Sequence, residues 1–256
     1  MEKLKITIVQ FRRRPLIDEN LWNAISLVKN KTDIIVFSEN WLSNKPIALN
    51  DYSYYLEKIG NILDANILGG IQYVYDNGYI KSVGMGYIDG KLVKICEKIN
   101  PSKAVGERNY LVEGKYVKPI KVNSWYIGCV ACVDIFYPEI SRIHALNNAD
   151  ILYNPASISN ESLALWHSTL QTRAAENVVY SIGVNNTNTV YPDNRITAGG
   201  SIVFNPHGDK IIELGSDDEA IDIILDYDYF NYVKNRWAFR DDLIKKYSIF
   251  YKNNFL

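Results

Sequence analysis

The sequence points first to Cys132 as a reactive side chain. This residue ends the strand-like run 125–132, and Asp134 and Pro138 follow it before a predicted helix. In α/β proteins, reactive groups are commonly placed where a strand ends and the chain continues into a helix. A packed core thiol is the alternative, because free cysteine is among the most buried residue types. The position alone therefore leaves both roles open.

Two other strand ends carry charged residues that a thiol could use. Glu39 follows the apolar segment 34–37, and Lys98 closes the segment 92–97. An isolated cysteine has a pKa of about 8.5, so it needs a base or a cation to become nucleophilic at neutral pH. If these strand ends converge, Glu39 can supply the base and Lys98 the cation. Glu107, in the segment Val105-Gly106-Glu107-Arg108, is by itself typical of a loop charge.

Other cysteine chemistry is less well supported. Cys129 and Cys132 form a Cys-x-x-Cys pair, but no second pair or neighbouring histidine accompanies it, so a zinc site is not expected. On an extended strand these two side chains face opposite ways, and a redox pair would need a turn. A Cys–His dyad is a rival arrangement with His144, His167 or His207, of which His167 is the hardest to assign to packing.

The elements that must position these residues predict an α/β architecture. Strands at 5–10 and 33–37 flank a helix with apolar residues at helical spacing, and Asp89-Gly90 signals a hairpin between strands 80–88 and 92–99. Further strands are expected at 67–74, 117–122, 126–134, 150–154, 178–185, 201–205, 210–214 and 221–226, and further helices at 51–63, 138–148 and 161–177. Several strands are apolar on both sides, which favours sheets covered on both faces.

The length of the chain indicates the number of domains, and its net charge indicates which partners are expected. The 256 residues suffice for one large α/β domain, and since no linker or composition break is visible, residues 1–256 are expected to form a single domain. The 28 basic and 29 acidic residues give a net charge of −1, so nucleic acid is not an expected partner. Arg12-Arg13-Arg14 is interpreted as a solvated loop, with the binding of a substrate carboxylate as the alternative.

Cysteine content and hydropathy indicate the compartment. The three cysteines do not suggest a disulfide framework, and the first residues, MEKLKITIVQF, lack the apolar core of a signal peptide. No apolar run approaches the roughly 18 residues that cross a bilayer, so no membrane association is expected. A cytoplasmic location is the resulting expectation.

These motifs, in this order, resemble those of the nitrilase superfamily of carbon-nitrogen hydrolases. Segment 33–39 is similar to the segment that ends in the family's catalytic glutamate, segment 97–101 to its lysine motif, and Gly106-Glu107 to its second glutamate. Segment 128–139, GCVACVDIFYPE, is close to the nucleophile motif, in which the cysteine is followed by x-Asp and then Pro-Glu. Segments 6–10, 173–177, 200–201 and 205–208 also follow the family, so the resemblance covers nearly the whole chain.

The resemblance implies a fold, an assembly and residue roles. The implied fold is a four-layer α-β-β-α sandwich that forms homodimers or larger homo-oligomers. Cys132 is implied as the nucleophile, Glu39 as the general base and Lys98 as the group that holds the developing oxyanion. Glu107 is implied to position the substrate and Lys98, and the backbone N–H of Val133 to be the second oxyanion donor. No metal ion and no organic cofactor is implied.

Departures from the family pattern limit what can be said of the substrate. Ser38 stands where many relatives have proline, and Phe136-Tyr137 replace a frequent Arg-Phe. Candidate pocket residues are Trp41, Phe136, Tyr137 and Ser157. Val133-Asp134 after the cysteine is closer to the amidase and carbamoylase pattern than to the Trp-Glu of true nitrilases.

The expected activity is therefore the hydrolysis of a small linear amide through a cysteine thioester, with release of ammonia. Hydrolysis of an N-carbamoyl compound or a nitrile by the same residues is the alternative. Transfer of the acyl group to an amine is also conceivable. A non-catalytic binding module is the competing class, and the presence together of Glu39, Lys98, Glu107 and Cys132 argues against it.

Overall fold

A computed structural model describes residues 3–191 and 193–247 of the chain. The strands are β1 (Lys3–Gln10), β2 (Ile34–Val36), β3 (Ile47–Ala48), β4 (Asn66–Leu68), β5 (Gln72–Asp76), β6 (Tyr79–Ile88), β7 (Lys91–Glu97), β8 (Ile120–Val122), β9 (Trp125–Cys129), β10 (Ile151–Ala156), β11 (Tyr180–Asn185), β12 (Thr187–Val190), β13 (Ile196–Ala198), β14 (Ile202–Phe204), β15 (Lys210–Glu213) and β16 (Glu219–Asp226). The helices are α1 (Ile17–Leu27), α2 (Leu49–Leu63), α3 (Pro138–Leu146), α4 (Leu163–Asn177), α5 (Tyr227–Arg236) and α6 (Phe239–Tyr247), with 3₁₀ helices at Glu107–Asn109, Cys132–Phe136 and Asn160–Ser162.

Two mixed sheets form the centre of the molecule. The first has the strand order β16-β1-β2-β4-β6-β5-β3, with β7 paired to β6, and the second has the order β15-β14-β11-β10-β9-β8. In the first sheet β1, β2 and β4 run parallel, and in the second β9, β10 and β11 do so. Because parallel neighbours end at the same edge, the residues that follow these strands are brought together on one side of the molecule.

The layers follow from alternation along the central strands. In β1, Ile6 and Ile8 belong to the core cluster that contains the second-sheet strand β11, whereas Val9 belongs to the cluster that contains α1 and α2. This is the two-residue period of a strand that is covered on both faces. On the second sheet, Leu170 of α4 joins the core beside β11. The predicted α-β-β-α sandwich is confirmed.

The hairpin prediction is also confirmed, while one predicted strand is divided into two and another ends earlier than expected. Asp89 and Gly90 have φ angles of 49° and 75°, as a two-residue turn between β6 and β7 requires. The segment 67–74 divides into β4 and β5. The segment 126–134 leaves the sheet at Cys129, and Cys132 begins a 3₁₀ helix instead of ending a strand.

The elements that the sequence did not predict are short or polar. The hairpin of β12 and β13 and the helices α5 and α6 lack a clear apolar period, because much of their surface is exposed. Among the described residues, no helix combines the length and apolar character needed to cross a membrane.

One buried hydroxyl links the two sheets beside the site, and it makes a stability prediction. The hydroxyl of Tyr153 in β10 accepts a hydrogen bond from Phe37 N at 3.1 Å and donates to the carbonyl oxygen of the same residue. Tyr153→Phe removes this link without changing the ring. We expect a loss of about 1 kcal/mol in the free energy of unfolding, measured by urea denaturation.

Tyr126→Phe, on the exposed side of the neighbouring strand β9, is the matched control. It should change the unfolding free energy by less than about 0.5 kcal/mol. Equal effects of the two substitutions would contradict the structural role of the Tyr153 hydroxyl.

Candidate active site

A cavity of about 340 Å³ opens where strands of the two sheets end. Glu39, Lys98, Glu107 and Cys132, which lie far apart in the sequence, all line it. Ser157, another predicted pocket residue, lines it as well. The other lining residues are Arg13, Asn40, Asn44, Tyr73, Ser102, Val105, Tyr110, Val190 and Tyr191.

Lys98 is the central charge of this cavity. It directly follows β7, and its side chain is only 2% exposed. Its Nζ lies 2.9 Å from Glu39 Oε1 and 2.7 Å from Glu107 Oε1. An ammonium group has three N–H donors, so these two contacts leave one donor for another acceptor. Burial lowers the pKa of Lys98, but the carboxylates and Cys132 outweigh it and hold the pKa well above the usual value.

Glu107 is fixed by three donors. Gly106, with a φ angle of 73°, leads into the 3₁₀ helix that begins at Glu107. Besides Lys98, the hydroxyl of Tyr73 donates to Oε1 at 2.6 Å, and the backbone N–H of Ser102 donates to Oε2 at 2.5 Å. Both oxygens of this buried carboxylate are thus engaged. Glu107 is consequently arranged to hold Lys98 in place.

The loop after β2 positions Glu39. The carbonyl oxygen of Glu39 accepts a hydrogen bond from Asn186 Nδ2 at 2.6 Å, and Ser38 Oγ donates to Asn186 Oδ1 at 2.8 Å. Gly70 packs directly on this loop: with φ at 76°, a Cβ atom there would lie 2.1 Å from the Ser38 carbonyl oxygen. The loop is therefore held from both sides, and only glycine fits at position 70.

Cys132 occupies a strained backbone position at the start of its 3₁₀ helix. Its φ angle is 43°, a value uncommon for residues other than glycine and often associated with functional sites. The carbonyl oxygens of Val130 and Cys132 accept hydrogen bonds from Asn154 Nδ2 at 2.6 and 3.1 Å. These two hydrogen bonds hold the backbone of Cys132 in its strained conformation. The side chain is buried, with an exposure of 7%.

The electrostatics of the site keep the proton on the thiol. Burial and the nearby Glu39 raise the pKa of Cys132 well above its ordinary value, although Lys98 and the backbone of Ser157 act in the opposite direction. Burial also raises the pKa of Glu39, against the opposing effect of Lys98 and a hydrogen bond from Cys132. A carboxylate beside a thiol can accept the thiol proton.

Asp134, the second residue after the cysteine, connects the cysteine segment with the lysine segment. Its Oδ2 accepts a hydrogen bond from Ile99 N at 2.8 Å, and its Oδ1 accepts from Asn100 N at 2.9 Å and Asn100 Nδ2 at 2.8 Å. Burial raises the pKa of Asp134 and these donors oppose the shift. The Cys-x-Asp spacing therefore fixes the chain directly after Lys98 relative to Cys132.

Three predicted pocket residues lie elsewhere, and this corrects the sequence-based prediction. Trp41 is fully buried, stacks on Phe37 at a centroid distance of 4.3 Å and donates its indole N–H to Gly69 O. Phe136 ends the 3₁₀ helix and packs against the core, and Tyr137 is 37% exposed at the start of α3. The chain turns away from the cavity through the 3₁₀ helix, which strand-based reasoning did not anticipate.

Val133 lies in the first turn of that helix. Within residues 3–191 and 193–247, no backbone acceptor is found for its N–H group, as expected for the first residues of a helix. Val133 is not among the residues that line the cavity, and its role as an oxyanion donor stays a prediction.

The rival Cys–His dyad is contradicted, because no histidine lines the cavity. His167 is held by the carbonyl oxygen of Gly200, 2.7 Å from Nε2, and His207 lies near Asp209 at the surface. His144 is buried in α3, and burial lowers its pKa to about 4. The Cys-x-x-Cys pair is not a unit either, because the Cys129 sulfur contacts Cys96. The described residues contain no cluster of His, Cys, Asp and Glu suited to a metal ion.

Several lining residues had no sequence signal. Tyr73 lies in the ordinary strand β5, and Tyr191 follows β12, which was not predicted. Asn186, which holds the Glu39 loop, lies in the turn between β11 and β12. The arginine run at 12–14 resembles a solvated loop in the sequence, yet Arg13 lines the cavity.

The four-layer sandwich and a cavity lined by cysteine, lysine and glutamate are features of carbon-nitrogen hydrolases, and comparison with known proteins agrees with this class. The model of the carbon-nitrogen hydrolase family matches residues 5–227. The chain belongs to the carbon-nitrogen hydrolase family, and the predicted membership of this superfamily is confirmed.

Individual relatives agree with this assignment. A Staphylococcus aureus protein named "Hydrolase in agr operon" is 31% identical over 160 residues, which cover 62% of this chain and 59% of that protein. The matched part thus spans about three fifths of that relative. An omega-amidase from Danio rerio is 25% identical over 265 residues, covering 92% of this chain and 93% of that protein. A carbon-nitrogen hydrolase structure from Helicobacter pylori has a similar fold, with a TM-score of 0.88, 18% identity and coverage of 99% and 98%.

The Asp134 contacts make a testable prediction. Asp134→Asn replaces one acceptor oxygen by an NH₂ group that faces backbone N–H donors. We expect a loss of about 1 to 3 kcal/mol in the free energy of unfolding, measured by urea denaturation. Asp217→Asn, at an exposed loop position, is the control and should change it by less than about 0.5 kcal/mol. A neutral Asp134→Asn would refute the connecting role.

Proposed function

We propose that the protein hydrolyses a non-peptide carbon–nitrogen bond in a small linear amide through a thioester on Cys132. The observation that carries the proposal is the buried Lys98 ammonium, bound by Glu39 and Glu107 on the wall of the cavity that contains Cys132. The amidase names among the relatives, such as the omega-amidase, support the same class of reaction.

The first half of the reaction forms the thioester. Glu39 accepts the proton of the Cys132 thiol as the sulfur attacks the amide carbonyl carbon. Negative charge then develops on the carbonyl oxygen, where the remaining N–H of Lys98 and the backbone N–H of Val133 can donate. Fixed donors in a water-poor cavity stabilise such an oxyanion by several kcal/mol. When the intermediate collapses, the carbon–nitrogen bond breaks, and the proton held by Glu39 passes to the leaving nitrogen, which departs as ammonia.

The second half regenerates the enzyme. Glu39, again a carboxylate, takes a proton from a water molecule that attacks the thioester carbonyl. The carbon–sulfur bond breaks, the acid product leaves, and the thiolate recovers its proton from Glu39. Glu107 is a positioning residue in this scheme, because its oxygens are occupied by Lys98, Tyr73 and Ser102. No step requires a metal ion or an organic cofactor.

Two alternatives use the same residues. An N-carbamoyl substrate would release ammonia by the same bond cleavage, and a nitrile would pass through a thioimidate on the same sulfur. We also propose a cytoplasmic location. In addition, we propose that the protein forms a homodimer or a larger homo-oligomer, and size-exclusion chromatography with light scattering tests this oligomeric state.

The activity is tested with a panel of small amides, ureido acids and nitriles, using ammonia release as the readout. We expect release from at least one linear amide and its loss to background in Cys132→Ala, because the nucleophile is removed. Cys129→Ser is the matched control, and it should retain activity within about threefold, since Cys129 contacts Cys96 in the core. Unchanged turnover in Cys132→Ala, or an equal loss in Cys129→Ser, would refute the assignment.

The raised pKa of Glu39 predicts the pH dependence of kcat/KM. Protonated Glu39 cannot accept the thiol proton, so activity falls as the pH drops through the pKa of Glu39. Because burial raises this pKa, the midpoint of the acid limb should lie above 4.5, the ordinary value for glutamate. Initial rates across a pH series measure it.

Two variants separate this effect from acid unfolding. Glu39→Gln should reduce kcat/KM by at least about 10²-fold, because the general base is lost. Glu113→Gln, at an exposed position, should keep the native acid limb. An acid midpoint below 4.5, or near-native activity in Glu39→Gln, would contradict the role of Glu39.

A further inference from the structure

Arg13 lines the catalytic cavity but has no part in the scheme above. It lies in the loop after β1 and is half-buried. Its backbone N–H donates to Thr189 Oγ1 at 3.1 Å, and its Nη1 donates to the carbonyl oxygen of Asn40 at 3.0 Å. The side chain is thus held against the loop that contains Glu39.

The guanidinium group has donors to spare. A guanidinium carries five N–H donors, and the contact with Asn40 uses one of them. Among residues 3–191 and 193–247, no carboxylate lies within 4.0 Å of the Arg13 side chain. Burial lowers the pKa of Arg13, while Tyr191, Tyr73 and Glu39 act in the opposite direction. Arginine nevertheless stays charged in proteins, and a partly desolvated cation gains most from an anionic partner.

The other charges of the cavity are already paired. Lys98 is bound by both Glu39 and Glu107. Of the charged side chains that line the cavity, Arg13 is therefore the one without a counter-ion in the described part of the chain. An anionic group that enters the cavity meets two carboxylates near Lys98 and an unpaired cation at Arg13. The electrostatics thus favour one orientation of such a ligand.

A second cavity of about 640 Å³ adjoins the first and shares Arg13, Asn44 and Val190 with it. Arg12, Arg14 and Lys45 also line this outer cavity. Asp218 partly offsets the charge, because it lies 3.2 Å from Arg14 Nη2 and accepts a hydrogen bond from the backbone N–H of Arg12. The remaining excess of positive charge would raise the local concentration of anions in this adjoining cavity.

We propose that Arg13 binds a carboxylate at the end of the substrate remote from the scissile amide. The substrate class is then a short linear amide with a terminal carboxylate. A planar guanidinium can donate two parallel hydrogen bonds to a carboxylate, which fixes both its position and its orientation. This inference rests on the proposed amide hydrolysis, since it assigns the other end of the same substrate.

The test compares two amides of equal chain length. Glutaramate has an amide at one end and a carboxylate at the other, and pentanamide has a methyl group in place of the carboxylate. The readout is the ratio of their kcat/KM values, from ammonia release. We expect the native protein to favour glutaramate, and Arg13→Gln to lower the ratio by about 10- to 100-fold, as loss of a charge-assisted hydrogen bond predicts.

The ratio separates carboxylate binding from a structural role. Loss of the Asn40 contact alone would slow both amides alike and leave the ratio unchanged. Arg13→Lys, which keeps the charge and loses the planar fork, should give an intermediate ratio. Arg12→Gln removes the same charge from the outer cavity, and it should change the ratio by less than about threefold. No preference in the native protein, an unchanged ratio in Arg13→Gln, or an equal change in Arg12→Gln would overturn the proposal.

A binding measurement makes the result independent of turnover. In Cys132→Ala, titration calorimetry should detect glutaramate binding that is weakened at least tenfold in the Cys132→Ala/Arg13→Gln double variant. If no amide of the panel is hydrolysed, the proposed function fails, while this titration still decides the role of Arg13. Equal affinity in the two variants would overturn the Arg13 site even if amides are hydrolysed.

Discussion

A buried ammonium group between two carboxylates is the interaction on which the site depends. Taking Lys98 out of water costs several kcal/mol, and contacts of 2.9 and 2.7 Å with Glu39 and Glu107 offset that cost only if all three side chains are held in place. The fold must therefore bring three side chains within hydrogen-bonding distance of one another. They come from the segments that follow β2 and β7 and from the start of the 3₁₀ helix at Glu107–Asn109. The Asp134 and Asn186 contacts fix these segments relative to one another.

In the reaction that we propose, the same burial explains how a resting thiol can serve as the nucleophile. Because the pKa of Cys132 is raised, the sulfur keeps its proton until a substrate arrives, and Glu39 is the adjacent acceptor. Because the resting thiol is neutral, the remaining N–H of Lys98 can donate to the charge that develops on the substrate. Arg13 also lines this cavity and has no carboxylate counter-ion among the described residues, which is why we propose that it binds the other end of the substrate.

Much of the fold and of the candidate site could be predicted from the sequence, because an apolar run that stops at a polar residue indicates the end of a strand. Glu39, Lys98 and Cys132 are identified in this way. Strands that are apolar on both sides indicate sheets covered on both faces, and the resemblance to the family specifies the four-layer sandwich. The turn after Cys129 is not visible in the sequence, since the residues that follow it remain apolar. The prediction that Phe136 and Tyr137 line the cavity, which rests on their place after the nucleophile motif, is wrong, because neither residue is part of its lining. Trp41 was misplaced because an aromatic residue near a site can as well belong to the core. Tyr73, Tyr191 and Arg13 reach the cavity through tertiary packing that no local pattern encodes.

The most direct test of the central claim is to locate the acyl group during turnover. The native protein and Lys98→Met are mixed with an amide substrate, quenched in acid and digested, and the peptides are weighed by mass spectrometry, with the folded fraction checked by circular dichroism. The account predicts an acyl group on the peptide that contains Cys132 in the native protein, and its absence in folded Lys98→Met. An acyl group on another residue, or equal acylation of Cys132 without the lysine, would contradict it.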